Sequence, residues 1–202
     1  MRISTCIGCE DFPCQGVNHE NYAIPDVDLD PDAISIALIS EAAPPDPADY
    51  YYADGDPLFQ QTTVQAFQDA GADVSSIQDI LDLGLYMTTA VKCGKVGYTI
   101  KAAPIRECSL ILERELALFP NLKAVLLMGD VAIKAVNTIA RRAGQPRVIP
   151  AGSTYKIRGP AYHWGAVRAF PSYLQAGPSF FIEKSKRKMI AEDLTSALDL
   201  LE

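Results

Sequence analysis

The residue types most able to do chemistry in this chain are its five cysteines and one well-placed glutamate. Cys6 and Cys9 form a C-x2-C pair, and fourteen residues separate Cys93 from Cys108. Two thiolates so close in sequence can grip a metal centre from a single turn, and four thiolates suit zinc or an iron–sulfur cluster. Cys93 closes an expected strand and Cys108 sits one turn into an expected helix, so both can face the same end of a sheet. Cys14 is left over, either replacing Cys9 or remaining a free thiol. Taken alone, Cys108 reads as a buried core cysteine. Glu41 follows an apolar run directly and precedes Ala42-Ala43-Pro44. A carboxylate there can position water or stabilise a developing cation, and its small neighbours let backbone N–H groups approach a ligand. The plainer reading is a solvated loop acid. His19 and His163 lie in no pattern that suggests zinc or a triad, and each reads as a surface or hydrogen-bonded histidine.

These residues need elements to position them. Residues 34–40, 85–92, 123–129 and 167–171 are short, nearly unbroken apolar runs, as strands buried on both faces would be. Helical spacing covers 61–70, 75–83, 104–119, 130–142 and 179–201, with Asp130 as the expected N-cap of the fourth. Strands alternating with helices predict a parallel four-stranded sheet covered on both sides, an α/β/α sandwich. Ligands of such sheets bind at the carboxyl ends of the strands, which here means 40–44, 89–93, 129–130 and 171–173. Residues 1–32 read as an irregular leader anchored by its cysteines.

The chain has 202 residues, 49% of them apolar and 21% charged. That length predicts one domain spanning 1–202, and the composition excludes wholesale disorder and fibrous repeats. No apolar run approaches the ~20 residues of a membrane span, and the N-terminus lacks an apolar signal region. The expected compartment is therefore reducing and cytoplasmic, where clustered cysteines more often mean metal or catalysis than disulfides. The net charge is −7 but unevenly spread. Residues 1–82 hold sixteen acidic side chains against Arg2, whereas 134–188 hold eleven basic ones against Glu183. Such a chain can offer one basic surface to a polyanion, although the two halves can equally neutralise each other.

Together the motifs resemble the uracil-DNA glycosylase superfamily, most closely its iron–sulfur branch, often called family 4. Tyr86-Met87-Thr88-Thr89-Ala90-Val91-Lys92-Cys93 is similar to that family's Y-I-T-N-V-V-K-C. Ser40-Glu41-Ala42-Ala43-Pro44 is similar to its G-E-A-P-G, and Gly55-Asp56-Pro57-Leu58 to its G-R-P-F. Ala103-Pro104-Ile105-Arg106-Glu107-Cys108 and Leu127-Met128-Gly129-Asp130-Val131-Ala132 are similar to its helix-borne cysteine region and its L-G-x-x-A. The resemblance implies an α/β/α fold and a 4Fe–4S cluster on Cys6, Cys9, Cys93 and Cys108. It implies a DNA partner, single- or double-stranded, and a monomer off the membrane. The implied reaction hydrolyses the N-glycosidic bond of a flipped-out base, with Glu41 catalytic. The implied base pocket takes in Ser40, Ala42, Leu58, Phe59, Thr89 and Leu174. Four of these depart from the family: Ser40 stands at its first-motif Gly, Thr89 at its Asn, Leu58 at its stacking Phe with Phe59 adjacent, and Leu174 at its His. Ser172, Tyr173, Lys184, Lys186 and Arg187 are the expected DNA contacts.

Two other functions fit the same residues. One is an iron–sulfur module that binds nucleic acid or a partner without turnover, since a fold alone does not license activity. The other is a hydrolase of a small N-glycoside. A phosphate-binding protein loses affinity steeply with salt and a small-molecule enzyme does not, which separates the two.

Overall fold

Apolar runs without a polar alternation must be buried on both faces, and this is how the strands are used. The structure is a computed structural model and describes residues 1–201. Its strands are β1 (Val17–Asn18), β2 (Ile36–Ala43), β3 (Leu85–Lys95), β4 (Ala124–Met128), β5 (Tyr162–Trp164) and β6 (Val167–Ser172). They form one sheet in the order β1-β3-β2-β4-β6-β5. The four expected strands, β3, β2, β4 and β6, run parallel at its centre. The sheet as a whole is six-stranded and mixed, however, because β1 and β5 add antiparallel edges. This corrects the expectation of a purely parallel four-stranded sheet. The edge strands are only two and three residues long, too short to carry a legible pattern.

The helices are α1 (Leu58–Asp69), α2 (Ile77–Asp82), α3 (Ala102–Leu116), α4 (Asp130–Arg142), α5 (Thr154–Ile157), α6 (Ser179–Ile182) and α7 (Lys184–Leu198). Ile36 and Leu38 of β2 and Leu126 and Met128 of β4 join one apolar cluster, with Phe67 of α1, Ile80 of α2 and Leu194 of α7. Ala37, Ile39, Val125 and Leu127 join a second cluster with Leu112 of α3 and Val136 of α4. Alternate residues of each strand thus serve opposite faces, as the pleat requires.

Three local expectations are corrected. The single helix expected over 179–201 breaks at Glu183, whose ψ of 71° leaves the helical region. The N-cap of α4 is Gly129 rather than Asp130, which becomes the first helical residue and pairs with Lys134 one turn on. The leader is anchored by more than its cysteines. Ile3 and Ile7 are buried in the core, and the Ala23 amide donates to the Lys92 carbonyl of β3 at 2.7 Å. Among the described residues no helix is long and apolar enough to cross a membrane.

Candidate functional site

The carboxyl ends of the parallel strands carry two adjacent groups of side chains, a thiol-lined cavity and an acidic site. The cavity has a volume of about 380 Å³, and Cys9, Cys14, Cys93 and Cys108 all line it. Cys93 comes from β3, Cys108 from the second turn of α3, and the other two from the leader. The loop that delivers Cys14 turns at Phe12, a non-glycine residue with φ of 42°. The Phe12 ring packs edge-on against Tyr22 at 5.0 Å and His19 at 5.3 Å, which holds the turn. The Cys9 amide donates to the Tyr22 hydroxyl at 3.0 Å.

Cys6 is not part of this group. It caps a 3-10 turn over Ile3–Thr5, is exposed, and its sulfur faces the Arg2 carbonyl at 3.6 Å. Ile3 and Ile7 on either side are buried, whereas Cys6 is exposed. The expected quartet is thereby changed, with Cys14 where Cys6 was expected.

Burial and the neighbouring thiols push Cys93 up to about 12 and Cys108 up to about 11, and burial raises Cys14 as well. As free thiols these groups are neutral. Four thiolates could coexist here only beside a compensating positive charge. Among the described residues no three Cys, His, Asp or Glu side chains converge closely enough to hold a single metal ion.

His19, for which no sequence pattern suggested a role, lies beside these thiols. Its Nε2–H donates to the Cys14 carbonyl at 2.7 Å, and its Nδ1 lies 3.3 Å from the Cys93 sulfur. The carbonyl can only accept, so it determines the tautomer and aims the Nδ1 edge at Cys93. The signal available in sequence was only that His19 falls between two cysteines and an expected strand.

Next to Cys93 in β3 is a second group missed in sequence. Lys92 and Glu115 are both fully buried and form an ion pair at 2.5 Å. Lys92 also donates to the Thr88 hydroxyl at 2.7 Å and the Thr89 carbonyl at 2.8 Å, so all three of its protons are used. The other Glu115 oxygen accepts from Tyr86 at 2.6 Å and Thr88 at 2.7 Å. A lysine in an unbroken apolar strand was the legible signal, because such a charge must find a buried partner.

Glu41 lies on β2 at the same end of the sheet and is 17% exposed. Its carboxylate is 3.4 Å from the Lys95 ammonium, and Lys95 is two residues beyond Cys93 on β3. Glu41 also packs over Gly129, the N-cap of α4. A Cβ at Gly129 would fall 2.7 Å from a Glu41 carboxylate oxygen, and its φ of 101° disfavours any side chain. Gly129→Ala is therefore expected to cost roughly 1–3 kcal/mol. Urea unfolding reads this directly, and an unchanged midpoint would mean that the turn relaxes freely.

The residues expected to read a base are internal. Ser40 and Thr89 are paired across β2 and β3 and have no exposed surface. The Ser40 hydroxyl donates to the Gln175 carbonyl oxygen at 3.2 Å and also bonds Tyr51. Gln175 in turn donates to Tyr51 at 2.8 Å and Thr63 at 3.3 Å. Among the described residues the Thr89 hydroxyl has no hydrogen-bond partner. Ala42 is buried, Phe59 is buried 5.2 Å from the Tyr51 ring, and Leu58 and Leu174 are half-buried. Leu174 packs on the apolar core, whereas its neighbour Gln175 supplies the polar group at this place.

The expected DNA contacts fare differently. Ser172 is fully buried and donates to Asp193 at 2.6 Å, so its hydroxyl faces inward. Arg187 pairs with Asp69 and stacks 5.2 Å over Phe180. Lys186 pairs with Glu183 at 2.7 Å and lies 5.5 Å from the ring centre of half-buried Tyr173. Lys184 is exposed. Much of the basic charge on α7 is thus met by acidic groups from the same chain. Comparison of the sequence with protein families found no match, and comparison with curated proteins found no significant match.

Proposed function

We propose that this chain is an iron–sulfur protein of the DNA base-excision type, with an α/β/α arrangement about its sheet. In this reading Cys9, Cys14, Cys93 and Cys108 hold a 4Fe–4S cluster, and Glu41 acts on the N-glycosidic bond of a flipped-out uracil or other damaged base. The observation that carries the reading is the placement of Glu41. It is a partly shielded carboxylate at the carboxyl end of the central parallel strands, held between Gly129 and Lys95 and adjacent in the sheet to the thiol-bearing end of β3. When bound, the cluster would serve as a clamp joining the leader, β3 and α3. Glu41 would accept a proton from an attacking water or stabilise the cationic sugar as the base departs. Lys95 would keep the carboxylate oriented.

A second reading is favoured by the closed Ser40, Tyr51 and Gln175 network. Hydrogen bonds already made inside the protein leave fewer groups to read a base, as a binding module without turnover would allow.

An excision assay on oligonucleotides bearing different modified bases, single- and double-stranded, separates the two. Excision is expected, with a loss of about 100-fold in Glu41→Gln at unchanged iron content. DNA binding without excision would favour the module. Neither excision nor binding would reject both readings.

A further inference from the structure

A second cleft lies apart from the thiol cavity. It has a volume of about 530 Å³ and lies between α3, α4 and the segment 145–157. One stripe of α4 forms its wall: Asp130, Ile133, Lys134, Asn137, Thr138 and Arg141 recur at the three- and four-residue steps of a helix face. The opposite wall is built rather than incidental. Asn137 clamps the returning chain by donating to the Ile149 carbonyl at 2.9 Å and accepting from the Ile149 amide at 3.0 Å. Gly152 then packs so tightly on Ile157 that a Cβ would fall 2.7 Å from its methyl group.

The charge in the cleft is unbalanced. Arg106, Lys134, Arg141 and Arg147 line it, against Asp130 alone. Arg106 pairs with Glu107 and Lys134 with Asp130. Among the described residues Arg141 and Arg147 have no acidic partner, and both are exposed. The floor is apolar, supplied by Ile105 of α3, Ile133 of α4 and Ile157 of α5. A concave site of this size with an apolar floor and two uncommitted guanidinium groups is matched to a ligand that joins an oxyanion to a flat, weakly polar body.

We infer that this cleft is a nucleotide-binding site, in which Arg141 and Arg147 hold the phosphate and the base lies over the isoleucine floor. The nucleotide is either free or a unit of a single strand, and the chemistry recognised is the same. The site is distinct from Glu41 and the thiols and does not depend on either acting as proposed. Its Asp130 end lies one residue from Gly129, against which Glu41 packs, so a strand held in the cleft would run toward that carboxylate.

The test is equilibrium binding by the full chain of labelled oligo-deoxythymidine, thymidine monophosphate and inorganic phosphate, each at several salt concentrations. The comparison is with Arg141→Ala/Arg147→Ala and with Lys123→Ala/Lys188→Ala, a pair that does not line the cleft. Both pairs are exposed, and circular dichroism checks the fold. The cleft double variant is expected to bind at least about tenfold more weakly, with a shallower salt dependence, while the Lys123/Lys188 variant keeps its affinity. Binding of the mononucleotide as well as the oligomer would identify a free-nucleotide site. Cleft-dependent binding of the oligomer alone would identify a strand site. Either result supports the inference. It is overturned if neither nucleotide ligand binds, if the cleft variant binds like the parent, or if inorganic phosphate competes as well as the mononucleotide.

Discussion

Replacing Cys14 by Ser is expected to abolish the visible absorbance of an iron–sulfur cluster and bring iron and acid-labile sulfide to background. Cys6→Ser is expected to leave all three unchanged. The contrast follows from geometry, since Cys14 lines the cavity with Cys9, Cys93 and Cys108 while Cys6 is exposed beside the Arg2 carbonyl. Iron–sulfur clusters are held by thiolates, and a serine hydroxyl is a poor substitute for one. Cys93→Ser should behave like Cys14→Ser. The measurement is iron and sulfide content of anaerobically purified protein, supported by absorbance. Loss of the centre in Cys6→Ser with retention in Cys14→Ser would restore the pairing suggested by the C-x2-C motif. Retention in every single variant would remove the cluster from the proposed function.

Lys92→Met is expected to lower stability by about 3–5 kcal/mol, because it leaves the Glu115 carboxylate buried without its cation. For a chain of this length that corresponds to a fall in melting temperature of roughly 6–20 °C. Lys92→Met/Glu115→Gln should recover a large part of the loss. The neutral amide still accepts from Tyr86 and Thr88 but leaves no buried charge. Thermal unfolding of the parent, the single and the double variant closes the comparison. Equal destabilisation of the single and the double would show that packing, rather than charge, is the dominant role of Lys92. Lys92 adjoins Cys93 on β3, and its backbone and charge both favour the ionised form of Cys108. Iron content of the Lys92 variant is therefore a useful second reading of how the two groups are joined.

Several features were legible before any tertiary contact was known. The unbroken apolar runs gave the four central strands, because a strand covered on both faces has no polar side to alternate. The periodic helices α3 and α4 were recoverable for the same kind of reason, α4 over its expected 130–142 and α3 with its ends displaced by a few residues. Glu41 could be placed at the ligand end of the sheet because it follows such a run, and Cys93 because it ends another.

What the residues alone could not decide was set by contacts between distant parts of the chain. Cys6 and Cys14 are equivalent as ligand types. The choice between them depends on Ile3 entering the core and on Phe12 turning against Tyr22 and His19, neither of which is encoded in cysteine spacing. The basic stretch of α7 looked free in sequence, but Asp69, 118 residues away, takes up Arg187. Ser172 looked like a surface hydroxyl until Asp193 was found opposite it. The edge strands β1 and β5 exist because neighbouring strands present unpaired backbone groups, not because two or three residues have a strong preference of their own. The sequence by itself determined the apolar architecture and the kinds of reactive group, since periodicity and side-chain chemistry are local properties. Only the tertiary structure decided which thiols meet, which cations remain free and which polar groups are sealed, because burial and charge pairing are properties of the whole packed chain.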